Sequence, residues 1–163
     1  RGAIADYNKA IELIPNDASI YYNRGLSKSK LEDYRGAIAD YNKAIELNPN
    51  GANAYFTRGI TKHNLEDYRG AIADYNKAIE LKPNDASIYF NRGNTKLKLD
   101  DYRGAIADNN KAIELNPNFV NAYKNRGINK YLIGDKNGAC LDWSKAGELG
   151  ASDAYDLIKK FCN

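Results

Sequence analysis

Cys140, Cys162 and His63 are the residues of this chain best suited to covalent or acid–base chemistry, and their placement allows little of it. Two thiols alone cannot make a zinc site, and His63 lies far from both in sequence. The cysteines either form a disulfide between the end of the chain and the segment before it, which would favour an oxidising compartment, or are two small buried residues. A general base needs a nucleophile or a second titratable group beside it, and nothing next to His63 supplies one. Arg35-Gly36-Ala37 and its copies lack the further glycines and the lysine of a phosphate-binding loop. No metal, no cofactor and no enzymatic activity are therefore expected.

Charge excludes further classes. The net charge is +3 from 24 basic and 21 acidic side chains, which describes a solvated surface of mixed sign rather than a nucleic-acid footprint. No segment approaches the roughly 18 consecutive apolar residues of a membrane helix, so membrane insertion is not expected.

The elements that must position any site follow from four prolines at 15, 49, 83 and 117, each 34 residues after the last. A fixed period of this length signals stacked supersecondary units. The stretches 33–50, 67–84 and 101–118 repeat almost word for word. Each repeat reads as two amphipathic helices. In residues 18–51 the first runs from Ala18 to Leu31, with Tyr21, Gly25, Lys28 and Leu31 at helical spacing. The second runs from Arg35 to Leu47 and carries Ala37, Ile38, Tyr41, Ala44, Ile45 and Leu47 on one stripe. Asp17 and Asp33 are the expected N-caps, and Pro49 fixes the following turn. Nothing alternates as a strand would.

Small residues recur where neighbouring helices must approach. Gly25, Gly59, Gly93 and Gly127 sit mid-helix, where glycine costs about 1 kcal/mol relative to alanine, so a compensating close contact is expected. Ala37 and Ala44 and their copies are the matching positions on the second helix. Tyr41 and Tyr75 fill the space between them. Asn109 stands in the third repeat where the tyrosine would be, which predicts a polar and less filled spot.

With these residues in register, the chain resembles the tetratricopeptide repeat family. The second repeat carries the pattern as Tyr55, Arg58-Gly59, Lys62, Tyr68, Ala71, Tyr75, Ala78 and Pro83. The resemblance covers essentially the whole length. It implies an all-α fold, a right-handed superhelix of antiparallel helix pairs whose concave surface is lined by the first helix of each repeat. It also implies binding of a protein or peptide. One domain is expected: 1–17 as the second helix of an incomplete repeat, repeats at 18–51, 52–85, 86–119 and 120–153, and a capping helix at 154–163.

The chain departs from the family pattern in one repeated way. Arg24, Arg58, Arg92 and Arg126 stand where a leucine is expected before the glycine. Each second helix carries an aspartate just before its aromatic position: Asp6, Asp40, Asp74, Asp108 and Asp142. A buried guanidinium needs a partner. A ladder pairing Arg24, Arg58, Arg92 and Arg126 with Asp40, Asp74, Asp108 and Asp142 is expected, within a repeat or between neighbours.

The groove offsets implied by the resemblance carry Tyr22, Phe56, Phe90 and Lys124, then Asn23, Thr57, Asn91 and Asn125, then Leu26, Ile60, Asn94 and Ile128, with His63 further along. The asparagines could clamp the backbone of an extended peptide. The aromatics either form pockets for apolar side chains or pack between adjacent helices. The family's carboxylate clamp uses lysine, arginine and asparagine in its groove, and only the asparagine row resembles it here.

The two ends read differently. Residues 1–17 align with a second helix lacking its first, which points to further repeats upstream or to self-association through residues 1–17. At the other end Trp143 takes the aromatic position, and Ser152 to Phe161 forms a cap with Tyr155, Leu157, Ile158 and Phe161 for packing. The expectation is a non-catalytic interaction scaffold that binds an extended peptide or partner helix. The alternative is a structural or oligomerisation module.

Overall fold

The structure, a computed structural model, describes residues 2–162. They divide into two compact units, one ending at Pro83 and the next starting at Asn84. The first unit holds α1 (Gly2–Leu13), α2 (Ala18–Lys30), α3 (Tyr34–Leu47), α4 (Ala52–Asn64) and α5 (Tyr68–Leu81). The second holds α6 (Ala86–Leu97), α7 (Tyr102–Leu115), α8 (Val120–Leu132), α9 (Lys136–Glu148) and α10 (Ala154–Phe161). No strand occurs among the described residues. Consecutive helices form antiparallel pairs, and within each unit every helix packs on the next. First helices also touch each other, α2 on α4 and α6 on α8.

Local chemistry sets the helix limits. Asp17 accepts the Ser19 N–H at 2.8 Å, and Asp33 accepts the Gly36 N–H at 3.0 Å, satisfying donors that open α2 and α3. Asp67, Asp101 and Asp135 do the same for α5, α7 and α9. α1, α3, α5 and α7 stop at Leu13, Leu47, Leu81 and Leu115, each two residues before a proline. The intervening Asn48 sits at φ −138°, outside the helical region, as a residue preceding proline must.

The turn inside each repeat is tighter. Glu32, Glu66 and Asp100 adopt φ of 62°, 62° and 58°, and Gly134 takes the register-equivalent place in the fourth repeat at 89°. Only the glycine does so without a Cβ penalty.

The core lies between paired helices. Ala37, Tyr41 and Ala44 of α3 are buried, as are Ala71, Tyr75 and Ala78 of α5. A Cβ on Gly25 would lie 2.7 Å from the Tyr41 ring, so glycine is what lets that ring lie flat on α2. Gly59 stands in the same relation to Tyr75. In the second unit Asn109 is fully buried. Its Nδ2 donates to the Ala105 carbonyl at 2.8 Å, while its Oδ1 has no partner among the described residues. The spot is polar, as the substitution predicts, and less filled: the nearest atoms to a Cβ on Gly93 stand at 3.3 Å.

Two expectations need correction. Leu31, expected as the last residue of the first helix, lies just after α2 as its cap and is exposed. Tyr155 is also exposed, its ring edge lying over Gly147 rather than in the core. The end of the second unit is held instead by Tyr131, Trp143 and Phe161, whose ring centroids lie 4.8–6.1 Å apart. Trp143 is buried and donates its indole N–H to the Lys124 carbonyl at 3.2 Å. A disulfide joins Cys140 of α9 to Cys162 after α10.

Candidate functional site: the first-helix face

An ionic clasp fixes the first helix of each repeat against the second. Arg24 donates from Nε and Nη2 to the two Asp40 oxygens at 2.9 and 2.5 Å. Arg58 holds Asp74 the same way, Arg92 holds Asp108, and Arg126 holds Asp142. Each pair spans sixteen residues, so it is made within a repeat. The aspartate side chains are only 4–5% exposed. The hydrogen bond to Asp40 is the main cause that raises the Arg24 pKa above its ordinary value.

A second cation completes the clasp. Lys28, Lys62, Lys96 and Lys130 approach the same carboxylates at 2.8–2.9 Å. The arginines also reach across to the preceding helix, where Asn8, Asn42 and Asn110 accept from Arg24, Arg58 and Arg126. Each guanidinium lies over the tyrosine three residues before it, 5.3–5.6 Å from the ring centroid. The lysines were legible as a row of period 34, four residues after each arginine, but their place on an apolar stripe hid their role. Asp6 of α1 is exposed.

The residues assigned to the groove by register all come out half-buried: Tyr22, Asn23 and Leu26 on α2, Phe56, Thr57, Ile60 and His63 on α4, Phe90, Asn91 and Asn94 on α6, and Lys124, Asn125 and Ile128 on α8. In the first unit the aromatics lean on the core. Tyr22 lies 6.0 Å from the Tyr41 ring, and Phe56 lies 6.1 Å from Tyr75. Burial, and then the neighbouring Tyr22, push the Tyr41 hydroxyl up to about 12. His63 packs edge-on against Tyr68 at 5.3 Å.

In the second unit much of the face is already engaged. Phe90 turns to Phe119, centroid to centroid 4.8 Å. Asn125 donates to Asn94 at 2.5 Å, joining α8 to α6, and Asn91 donates back to the Ser87 carbonyl. Lys124 pairs with Asp153. Two members of the asparagine row are thus not free amides: Asn125 is paired with Asn94, and Asn91 is turned back onto its own helix.

The first unit keeps an opening. A cavity of about 340 Å³ lies beside Tyr22, between the start of α2, the end of α3 and the start of α4. Its floor is alanine, and its rim carries Asn48, Asn53 and Lys82. Lys82 donates to Asn53 Oδ1 at 2.9 Å. Reading along the first helices overlooked this opening, because Asn48, Asn50 and Gly51 of the loop between repeats form part of its wall. Among the described residues, no group of His, Cys, Asp and Glu is placed to hold a metal ion, and no helix is long and apolar enough to cross a membrane.

Family models described as tetratricopeptide repeat match residues 18–50 and 86–119 in one case and 40–73 in another. A third, described as TPR repeat, matches 1–31 and 62–100. No curated protein sequence matches the chain. Among solved structures, the crystal structure of MamA superposes with a TM-score of 0.87 at 24% identity, covering 93% of this chain and 89% of that one. YrrB, described as a TPR protein with an unusual peptide-binding site, gives 0.80 at 27% identity, covering 91% and 78%. The first TPR of Spaghetti (RPAP3), bound to the HSP90 peptide SRMEEVD, gives 0.66 at 24% identity, covering 68% and 90%.

Proposed function

The chain belongs to the tetratricopeptide repeat family, and on that premise we propose that it is a non-catalytic scaffold whose first-helix face binds an extended peptide or a partner helix. The observation that carries this reading is the face itself. Its aromatic and amide side chains are half-buried, neither sunk in the core nor free in solvent, beside an opening of about 340 Å³. Such a face offers apolar area at low entropic cost, and in the first unit the Asn23 amide can pair with a peptide backbone. The clasp beneath it holds adjacent helices in a set geometry, so little ordering is left to binding. The peptide-binding site described for YrrB, on the same fold, supports the reading.

The test is affinity capture read by mass spectrometry. Phe56→Ala and Asn91→Ala should each lose partners that wild type retains. Arg69→Ala, on the exposed side of α5, should keep them. Retention of every partner by both first-helix variants would refute the reading.

A second reading is self-association through residues 1–17. It is favoured by α1, the helix of the first unit with no buried residue among those described, whose last residue, Leu13, is 82% exposed. Sedimentation across a range of concentrations distinguishes it: a species of unchanging monomer mass would refute it.

A further inference from the structure

The cavity beside Tyr22 has a register-equivalent place in the second unit, and there the chain itself shows what fits. Two repeat lengths separate Tyr22 from Phe90, Ala44 from Ala112, Asn48 from Asn116 and Gly51 from Phe119. Gly51 and Phe119 occupy the same backbone position. Each immediately precedes its helix, at φ −76° and ψ 79° for Gly51 and φ −78° and ψ 81° for Phe119. Each backbone N–H donates to the asparagine carbonyl three residues back, at 3.1 and 3.0 Å. The difference is the side chain. Phe119 lays its ring on Phe90 at 4.8 Å, whereas at Gly51 there is no ring and the space beside Tyr22 is open.

We propose that the Tyr22 cavity accepts an aromatic side chain of the bound peptide, in the role that Phe119 plays in cis beside Phe90. This rests on the reading of the first-helix face as the binding surface and names the side chain it selects. The chemistry agrees. An alanine floor beside a tyrosine ring suits a flat apolar group, and offset or tilted ring pairs are favourable at the separation Phe90 and Phe119 show. The size lies at the low end for ligand pockets, which suits one side chain with a little backbone. Asn48, Asn53 and Lys82 at the rim offer donors to a carbonyl of that backbone.

The probe is N-acetyl-phenylalanine amide, titrated into isotope-labelled chain and followed by amide shifts, with N-acetyl-alanine amide as control. The phenylalanine probe should move Tyr22, Ala44 and Ala52 in a saturable way, and the alanine probe should not. Gly51→Phe, which needs only the φ and ψ that Phe119 adopts and sets a Cβ 3.2 Å from the Asn48 carbonyl oxygen, should leave the helical signal intact and weaken binding by about tenfold or more. Phe119→Gly should do the reverse and open a second site beside Phe90. Equal shifts from both probes, or saturable shifts elsewhere on the chain, would overturn the proposal. So would concentration-dependent shifts at these residues without probe, which would identify a second copy as the occupant. In affinity capture, Gly51→Phe should release partners that wild type holds. If those partners depend on Phe56 and Asn91 but ignore Gly51→Phe, the cavity proposal fails and the first-helix reading stands.

Discussion

Arg58 holds Asp74 through Nε at 2.9 Å and Nη2 at 2.6 Å, and Lys62 closes on the same carboxylate at 2.9 Å. Removing the aspartate would leave two cations facing each other, with Arg58 only 16% exposed. Asp74→Ala is expected to cost about 3 kcal/mol in urea denaturation, since breaking a buried pair strands the remaining charge. Glu80→Ala, which removes the exposed partner of Lys77, should change nothing measurable. Similar losses from both would mean that the clasp is not what holds α4 to α5.

Tyr41 makes stability depend on alkaline pH. Its hydroxyl is raised from 10.0 to about 12 by burial first and by Tyr22 second. A group raised in the folded state contributes stability that is intact below pH 10 and lost as pH climbs toward 12, because there the unfolded chain holds fewer protons. The full effect corresponds to about 3 kcal/mol. Tyr41→Phe should flatten the stability profile between pH 10 and 12 relative to wild type. Lysine deprotonation, common to both chains, drops out of the comparison. Parallel profiles would contradict the assignment.

The turn at Glu66 predicts a stabilising change. Its φ of 62° places a Cβ where Gly134 has none. Glu66→Gly relieves roughly 1–2 kcal/mol of backbone strain against an entropic cost of about 0.5–1. The net expectation is a gain of about 0.5–1 kcal/mol, seen as a higher Tm. A lower Tm would show that Glu66 makes a contact worth more than the strain.

The Cys140–Cys162 bridge closes a loop of sequence separation 22 around α9 and α10. Cys140→Ser with Cys162→Ser should lower stability by about 3 kcal/mol through the loosened unfolded chain. Trp143, packed on Phe161, reports it by fluorescence. An unchanged unfolding midpoint would assign the holding of α10 to the aromatic cluster alone.

How much of this could be read from the residues depends on whether the signal was periodic. The period of 34 located the helices to within a residue or so, because Leu13, Leu47, Leu81 and Leu115 each precede a proline. It also brought Arg24 and Asp40 onto facing helices. It could not show that Lys28 shares Asp40, since a lysine on an apolar stripe reads equally well as a stem lying over the core. Nor could it show the positive φ at Glu32, a conformation that only a few per cent of non-glycine residues adopt. Phe119 escaped for a different reason. Positions 17 and 85 are aspartate, 51 is glycine and 119 is phenylalanine, so Phe119 stands alone in its register, and only the structure shows which way that side chain reaches.

The most direct test of the central claim is to select peptides from a random display library on the immobilised chain and map the best binder by amide shifts. The first-helix account predicts that the shifts fall on first helices, with Tyr22, Phe56 and Ile60 among them for a binder on the first unit. Shifts confined to the second helices α3, α5, α7 and α9, with the first-helix residues unmoved, would contradict it.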